Sequence, residues 1–328
     1  MFSSLNLLTK NDFIIRTLIP FVLSWVLIYV LLPFLRKYFP DKPNKRSSHN
    51  IVKARAGGIS FILVSLFFSL LDKNYEILIC SIFSMVSLID DKFNISSLFR
   101  YISQILVVLL LLVNSILYKN LLISFIDLNL FFFIFLLFLL TFSGTAIINF
   151  INFMDGIDGL VSGSMLIILI TAFYLLELNW LISLIASLFA FFIWNWYPSK
   201  LFMGDVGSTF LGAIFVAILL SNLKYEENVG ILLVSFPMIF DAFTCVLRRY
   251  INKQNIFKAH KLHLYQRLNQ AGLKHSAVSS LYISSSILIS ISLCFGGLLI
   301  SFFTCVLIFI FGCYLDKNVA LPFSIDFR

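Results

Sequence analysis

The stretch N-L-F-F-F-I-F-L-L-F-L-L-T-F-S-G-T-A-I-I-N-F-I-N-F-M-D-G-I-D-G-L, residues 129–160, decides the fold. Its first part, residues 129–148, carries no charge and is long enough to cross the hydrocarbon core of a bilayer as a helix. The run ends in two asparagines and two aspartates, and the members of each pair lie three positions apart. Because charged side chains are costly in hydrocarbon, this polar end indicates a functional site at the membrane surface.

Apolar runs of this kind recur along the chain of 328 residues, of which 60% are hydrophobic and only 12% are charged. A soluble domain carries about 25% charged residues, so the composition excludes a soluble fold. We predict an all-α polytopic membrane protein with ten to eleven transmembrane helices in a single integral membrane domain, residues 1–328. The spans are predicted near residues 14–36, 58–72, 75–90, 99–118, 129–148, 160–177, 180–196, 208–222, 229–249, 280–298 and 299–316.

The lysines and arginines predict how these spans are oriented, because basic residues concentrate on the cytoplasmic side of a membrane. With the N-terminus outside and the C-terminus in the cytoplasm, only five of the 24 basic residues lie outside. These are Lys10, Arg16, Lys73, Lys119 and Lys224. The cytoplasmic segments are then residues 37–57, 90–98, 149–159, 197–207 and 250–279. The outer connections are short, so the active cleft is expected on the cytoplasmic face.

Aspartates gather in or beside these cytoplasmic segments, with no glutamate among them. The set consists of Asp41, Asp90, Asp91, Asp155, Asp158, Asp205 and Asp241. Mg²⁺ prefers carboxylate oxygens and keeps room for substrate phosphates, so the set predicts a metal-dependent site for phosphoryl transfer. A helix N-cap is an equal alternative for Asp158 alone. Capping does not explain Asp90 and Asp91, because they end a predicted helix, where the macrodipole disfavours negative charge.

Cysteines and histidines give no comparable signal of a metal site. The five cysteines lie inside apolar runs without CxxC spacing, and we interpret them as small hydrophobic residues. They are Cys80, Cys245, Cys294, Cys305 and Cys313. His260 and His263 lie in the last cytoplasmic segment without a neighbouring cysteine or acid to complete a zinc ligand set. We therefore expect the two histidines to contact a substrate.

Membrane-embedded acids are equally typical of an ion-coupled transporter, which is the alternative from another functional class. A transporter predicts acids near the middle of the spans and inverted internal repeats. In this sequence the acids lie near the cytoplasmic ends of the spans, and no repeat is visible. These differences favour an enzyme.

Five motifs resemble, in order, those of the polyprenyl-phosphate N-acetylhexosamine-1-phosphate transferase family, glycosyltransferase family 4. The matching residues cover about positions 40 to 268, and each motif lies on the predicted cytoplasmic face. The motifs are Asp41-Lys-Pro43 with Arg46, His49 and Gly57-Gly58; Asp90-Asp91 with Arg100 and Gln104; Asn149-x-x-Asn152-x-x-Asp155-Gly-x-Asp158-Gly-Leu; Phe202-Met-Gly-Asp205-Val-Gly-Ser208; and His260-Lys-Leu-His263-Leu-Tyr265-Gln266-Arg267.

The resemblance implies a reaction in which a UDP-N-acetyl amino sugar gives its sugar 1-phosphate to undecaprenyl phosphate and UMP leaves. It implies Mg²⁺, with Mn²⁺ as an alternative ion, carried by Asp205 with Asp91 as a further metal contact. It credits Asp90 and Asp91 with orienting the lipid phosphate, deprotonating it or contacting the metal. It also implies a bacterial cytoplasmic membrane protein in contact with the lipid bilayer. No nucleic-acid partner is expected, and a homodimer is left open.

The resemblance assigns the remaining motif residues to substrate binding. Four line the pocket for the nucleotide and diphosphate, namely Asn149, Asn152, Asp155 and Asp158. Another four contact the sugar or a phosphate, namely His49, His260, His263 and Arg267. The second pKa of a phosphate monoester is about 6, so the lipid phosphate is already a dianion at neutral pH. We therefore predict direct attack, with Asp90 and Arg100 positioning the acceptor.

Two branches of the family are open as alternatives. The phospho-N-acetylmuramoyl-pentapeptide transferase of peptidoglycan synthesis is similar in its aspartates but carries consecutive histidines in the last loop. The spacing of His260 and His263 is closer to the branch that begins surface polysaccharides. We therefore predict that UDP-N-acetylglucosamine or a related donor starts a lipid-linked glycan such as O-antigen.

Overall fold

The computed structural model describes residues 10–41, 52–93, 95–124, 129–255 and 260–323. Apolar sequence dictates helices throughout, since a backbone in hydrocarbon must satisfy its own hydrogen bonds. Within the described residues the helices are α1 (Lys10–Tyr38), α2 (Ile59–Leu71), α3 (Tyr75–Phe93), α4 (Ser97–Asn114), α5 (Ile116–Ser124), α6 (Leu130–Phe153), α7 (Leu160–Leu176), α8 (Leu181–Asn195), α9 (Gly204–Leu220), α10 (Tyr225–Val234), α11 (Phe236–Ile251), α12 (Leu264–Gln270) and α13 (His275–Asn318).

The prediction of an all-α polytopic membrane protein is confirmed. Among the described helices, α1, α4, α6 and α13 are long and apolar enough to cross a bilayer, and the pair α10 and α11 would make a fifth span. The apolar helices α2, α7, α8 and α9 are shorter. The exact number of crossings and their orientation stay predictions.

Three of these short helices form the centre of the protein. The helices α7, α8 and α9 are buried along most of their length, and α1, α3, α6 and α13 pack around them. A helix that is apolar on all sides is typical of such a central position. This central packing holds α9 in place. The first residues of α9 belong to the Phe202–Ser208 motif, so the motif is held in place with the helix.

Two predicted spans are interrupted in the structure. The predicted span 229–249 is divided into α10 and α11, which are bent by 74° at Ser235. Pro237 lies in the first turn of α11, where it supplies no N–H to the preceding turn. The predicted span 99–118 breaks at Ser115, whose hydroxyl donates to the Leu112 carbonyl and accepts the Tyr118 N–H.

The last two predicted spans form the two arms of α13. The backbone leaves the helical region at Gly297, with φ 71° and ψ −171°. A hydrogen bond of 2.9 Å joins the hydroxyls of Ser292 and Thr304 across this break, so the arms fold back on each other. The hairpin returns the end of α13 to the same side of the protein as His275, beside the predicted site.

Candidate active site

A small backbone assembly brings the first motif against the motif that begins α9. Strands β1 (Pro40–Asp41) and β2 (Lys53–Ala54) pair antiparallel. The Phe202 N–H then donates to the Ala54 carbonyl at 2.8 Å, and the Gly57 N–H donates to the Phe202 carbonyl at 2.9 Å. Motifs about 150 positions apart in the sequence are thereby held in register by main-chain hydrogen bonds.

Two glycines permit this close contact. A Cβ atom on Gly58 would lie 2.4 Å from the Gly207 Cα, a distance that real Cβ atoms do not adopt. Gly204 has a φ of 76°, and its Cβ would lie 2.7 Å from a carboxylate oxygen of Asp91. The motif glycines therefore serve close packing and a left-handed backbone turn.

Asp91 lies beneath the start of α9 and does not face open space. Its two carboxylate oxygens accept the N–H groups of Asp205 and Val206, each at 3.1 Å, and Oδ1 also pairs with Arg55 Nε at 2.8 Å. The side chain is fully buried. A carboxylate at a helix N-terminus is stabilised by the helix dipole, so the geometry supports a structural role for Asp91. It does not support the predicted role of Asp91 in metal binding or catalysis.

A cleft of about 270 Å³ lies beside this assembly. It is bounded by the ends of α3, α4, α6 and α9 and by the segment that leads into α12. Among the described residues, the cleft is lined by Ser87, Asp90, Ser97, Arg100, Tyr101, Gln104, Asn149, Asn152, Phe153, Asp205, Thr209, His260, His263 and Gln266. Seven of the predicted site residues are in this set. These are Asp90, Arg100, Asn149, Asn152, Asp205, His260 and His263.

Asp205 lies at the centre of the charged wall of the cleft. Its Oδ1 accepts hydrogen bonds from Arg55 at 2.8 Å and from the amide of Asn152 at 3.3 Å. Its Oδ2 lies 3.8 Å from the guanidinium of Arg100, which pairs with Asp90 at 2.9 Å. The Asp205 side chain is 24% exposed, so solvent and ligands can reach it. The Oδ2 atom of Asp205 and the Oδ1 atom of Asp90 accept no hydrogen bond from the described part of the chain.

The asparagines continue the polar wall along α6. Asn149 and Asn152 lie three positions apart and therefore face the same side of the helix. The Asn149 amide donates to Gln104 at 2.7 Å, and the Asn152 amide donates to the Ser208 hydroxyl at 2.9 Å. Both asparagines line the cleft, where amide groups can bind a polar ligand.

The two histidines form the opposite wall. Their rings stack with centroids 5.0 Å apart, and His263 is only 2% exposed. Burial lowers the pKa of His260 to about 3, with a further contribution from the nearby His263. His260 is therefore neutral at physiological pH and offers a ring nitrogen to a ligand.

Asp155 lies just behind the cleft, in the loop that follows α6. Burial, together with the nearby charge of Asp205, raises the pKa of Asp155 to about 7, although the charge of Arg55 opposes the shift. For Arg55, burial lowers the pKa, but the carboxylates of Asp205 and Asp91 outweigh burial and raise it. Asp155 is therefore part of the electrostatic surroundings of Asp205, although it is not among the residues that line the cleft.

Asp158 departs from the prediction of substrate binding. One of its oxygens accepts the Ser199 N–H at 3.0 Å and lies 3.5 Å from the Lys53 ammonium, and the other lies 3.4 Å from His275. Its side chain is 1% exposed. Burial by itself would raise the pKa of Asp158, but these donors outweigh burial and lower it to about 2. The residue joins three segments and does not reach the cleft.

Arg267 also departs from the prediction of substrate binding. Its guanidinium donates to the carbonyls of Leu262 and Leu321 and pairs with Asp316 at the end of α13. It is 3% exposed and lines a separate, mostly apolar cavity of about 330 Å³ between α11 and α13. The motif position of Arg267 therefore serves to hold the C-terminal segment. His49, the remaining predicted residue, lies outside the described residues.

Arg55 is the functional candidate that the sequence interpretation missed. A basic residue in a cytoplasmic segment is expected from the positive-inside rule alone, so the sequence does not distinguish Arg55 from Lys53 or Arg248 as a site residue. The sequence feature that indicates Arg55 is its position two residues before Gly57-Gly58. Glycines that let two backbones approach closely also bring the adjacent residues close to the other segment.

Comparison of the sequence with known proteins matches the chain to a family of transferases. Residues 74–222 match the family described as Glycosyl transferase family 4. A probable undecaprenyl-phosphate N-acetylglucosaminyl 1-phosphate transferase of Bacillus subtilis (strain 168) is 26% identical over 292 residues, covering 81% of this chain and 80% of the relative. A phospho-N-acetylmuramoyl-pentapeptide-transferase of Orientia tsutsugamushi (strain Ikeda) is 30% identical over an alignment of 343 positions, which covers 85% of this chain and 92% of the relative.

These matches extend beyond the motifs to most of the chain, and the family is one of membrane enzymes, so the transporter alternative is set aside. The chain belongs to glycosyltransferase family 4, the polyprenyl-phosphate N-acetylhexosamine-1-phosphate transferases, and is a multi-pass membrane enzyme that transfers a substituted phosphate group.

Proposed function

We propose that the cleft transfers an N-acetyl amino-sugar 1-phosphate from a UDP-sugar to undecaprenyl phosphate at the cytoplasmic face of a bacterial cytoplasmic membrane. The observation that carries this proposal is the convergence of Asp90, Asp205 and Arg100 on one wall of a single cleft, where Arg55 also pairs with Asp205. Paired acids and guanidinium groups suit a site that must hold a divalent ion and two phosphorylated reactants together.

The donor set fits Mg²⁺. Asp205 Oδ2 and Asp90 Oδ1 are hard oxygen ligands that accept no hydrogen bond from the described residues, and both side chains belong to the lining of the cleft. When bound by these carboxylates, Mg²⁺ or Mn²⁺ would supply positive charge between the donor diphosphate and the acceptor phosphate. Asp91 has no such free oxygen, so we assign the metal to Asp205 and Asp90.

The protein's own groups position the reactants. Asp90 holds the Arg100 guanidinium at 2.9 Å, and the remaining N–H groups of that planar fork can bind the lipid phosphate. The phosphate dianion forms a bond to the phosphorus that carries the sugar, and the bond from this phosphorus to the leaving UMP oxygen breaks. Because the attacking group is already ionised near pH 7, no side chain has to remove a proton.

The opposite wall and the asparagines are the candidates for donor recognition. Asn149, Asn152, His260 and Gln266 present donors and acceptors to the cleft, which suits the hydroxyl and amide groups of an N-acetyl sugar. The similarity to the Bacillus subtilis relative supports UDP-N-acetylglucosamine as the first donor to test. The Orientia tsutsugamushi relative supports UDP-N-acetylmuramoyl-pentapeptide as the second.

The test is transfer of radiolabel with purified protein, undecaprenyl phosphate and Mg²⁺. We expect a labelled lipid diphosphate sugar and one UMP released for each sugar transferred. Chelation by EDTA should stop the reaction, and Mg²⁺ or Mn²⁺ should restore it. Label in peptide-linked muramic acid only would assign the chain to the peptidoglycan branch, and no labelled lipid with any UDP-N-acetyl sugar would overturn the proposal.

Two further assignments have their own tests. Trapping of a phosphate on Asp90 or Asp91 after a quench in acid would overturn direct attack in favour of a double displacement. A homodimer, which the sequence leaves open, would give twice the mass of the chain in light scattering after the detergent contribution is subtracted.

A further inference from the structure

A cysteine and two histidines meet between the cleft, which His260 and His263 line, and the apolar cavity, which Cys245 lines. Cys245 on α11 brings its sulfur to His260 and His263, and one potential ligand atom from each residue lies within 4.8 Å of the others. Cys245 and His263 are buried, and His260 is half-buried. The cysteine lies 15 positions before His260, on a helix that the sequence alone does not place beside the histidine segment.

The surroundings of His263 point to a ligand. Its Nδ1 atom is buried and has no hydrogen-bond partner within the described residues, although it lies 3.7 Å from the carboxylate of Asp241. Asp241 is fixed in turn by the N–H groups of Leu264 and Tyr265 at 2.8 and 3.1 Å and by the Tyr282 hydroxyl at 2.7 Å. Since Asp241 lies beside Nδ1, the other ring nitrogen, Nε2, is the atom that would bind a metal, and a carboxylate beside the second nitrogen is typical of metal-binding imidazoles.

We propose that Cys245, His260 and His263 bind one Zn²⁺ ion. Thiolate and imidazole are the ligands that Zn²⁺ prefers, whereas Mg²⁺ prefers the oxygen ligands of the carboxylate wall. Three protein ligands leave the fourth position of a tetrahedral ion for water or a substrate atom. Because His260 and His263 line the cleft, a bound ion would be held beside it.

Binding requires a small closure of the three side chains. Zinc bonds of about 2.3 Å to sulfur and about 2.0 Å to nitrogen set ligand atoms about 3.5 Å apart in a tetrahedron. The present separations of up to 4.8 Å therefore have to shrink by about 1 Å. The nearest competing contact is weak, since the Leu262 N–H reaches His260 Nδ1 at 3.3 Å. Loss of the thiol proton to solvent accompanies formation of the metal–sulfur bond.

Zinc at this position has a consequence for the reaction, which rests on the proposed function. The ion would occupy the wall to which we assign the sugar and would fix His260 and His263 on the metal. We expect micromolar Zn²⁺ to inhibit transfer in the presence of excess Mg²⁺, and inhibition to weaken in a variant that lacks the thiol. Metal binding itself is measured without any substrate, so it can succeed or fail independently of the transferase assay.

The test uses the full chain, purified without a polyhistidine tag and titrated with Co²⁺ as a spectroscopic substitute for Zn²⁺. We expect one equivalent of Co²⁺ to produce the visible bands of a tetrahedral ion and a charge-transfer band from thiolate, and Zn²⁺ to displace it. Cys245→Ser should remove the charge-transfer band and weaken binding by at least about 100-fold, since loss of an outer-shell partner alone costs 10–100-fold. His260→Gln should also weaken binding.

Cys305→Ser is the matched control, because Cys305 is a buried cysteine on α13 outside this cluster. It should keep the complete Co²⁺ spectrum. The melting temperature of each variant is measured first, and binding is compared only among variants that are as stable as the wild type. His260→Gln provides a second test if Cys245→Ser does not fold. A Co²⁺ spectrum without a thiolate band, or one that both Cys245→Ser and His260→Gln leave unchanged, would overturn the proposal.

Discussion

Asp205 and Asp158 are both aspartates beside a glycine at a helix start, yet one lies in the cleft and the other in the scaffold. Asp205 is 24% exposed and keeps one oxygen that accepts no hydrogen bond from the described residues. Asp158 is 1% exposed and is surrounded by Ser199, Lys53 and His275. The partners of a carboxylate therefore distinguish a residue that can bind a ligand in the cleft from one that is enclosed in the scaffold, whereas the local sequence does not.

The largest expected effect is that of Asp205→Asn on the rate. The substitution keeps the shape of the side chain but removes the charge that would hold Mg²⁺, so kcat should fall by about 1,000-fold, which equals about 4 kcal/mol. The melting temperature should change by no more than about 3 °C, because the side chain is 24% exposed and the amide oxygen of asparagine still accepts hydrogen bonds from Arg55 and Asn152. Radiolabel transfer and thermal unfolding in detergent measure the two quantities.

The same substitution in the scaffold should have the opposite profile. Asp158→Asn removes the negative charge beside the Lys53 ammonium and the buried His275, and we expect a loss of about 3 kcal/mol in the free energy of unfolding. The rate per folded molecule should stay within about threefold of the wild type, since Asp158 does not line the cleft. A 100-fold fall in rate at unchanged stability would show that Asp158 acts on the substrate.

Arg100→Lys sharpens the comparison inside the cleft. Lysine keeps the charge but loses the planar fork, so we expect about a 30-fold loss in kcat/KM, or about 2 kcal/mol, and most of it in KM for the lipid phosphate. Arg248→Lys is the matched control, because Arg248 pairs with Asp316 away from the cleft and should change the rate by less than twofold. Equal losses in both variants would contradict a specific phosphate contact by Arg100.

The structure brings some of the predicted site residues together in the cleft and separates others from it, for identifiable reasons. Asn149 and Asn152 lie within α6, where a spacing of three residues puts side chains on one face, and both line the cleft as predicted. The same spacing continues to Asp155 and Asp158, but α6 ends at Phe153 and helical periodicity no longer applies beyond it. Asp158 consequently turns toward Ser199 and away from the cleft.

Contacts between distant segments account for the other differences. Arg267 lies only four positions after His263. The second arm of α13 nevertheless places Asp316 beside Arg267, and the guanidinium pairs with Asp316 instead of lining the cleft. The apolar neighbours of Cys245 in the sequence indicate only a small hydrophobic residue. Cys245 nevertheless lies near His260 and His263, on α11, which is bent by 74° from α10, whereas the sequence predicts one unbroken span for residues 229–249.

Acid unfolding gives the smallest expected effect and a direct test of the scaffold role. The pKa of Asp158 is about 2 in the folded protein and about 3.9 in an unfolded chain, so its ionised form favours folding. Its contribution of about 2 kcal/mol should be complete above about pH 4 and should be lost as the pH falls from 4 to 2. Asp158→Asn cannot titrate, so its stability should fall less over this interval than that of the wild type. Urea unfolding in detergent at pH 5, 4, 3 and 2 measures the difference, and parallel curves for the two proteins would show that Asp158 has an ordinary pKa and no such partners.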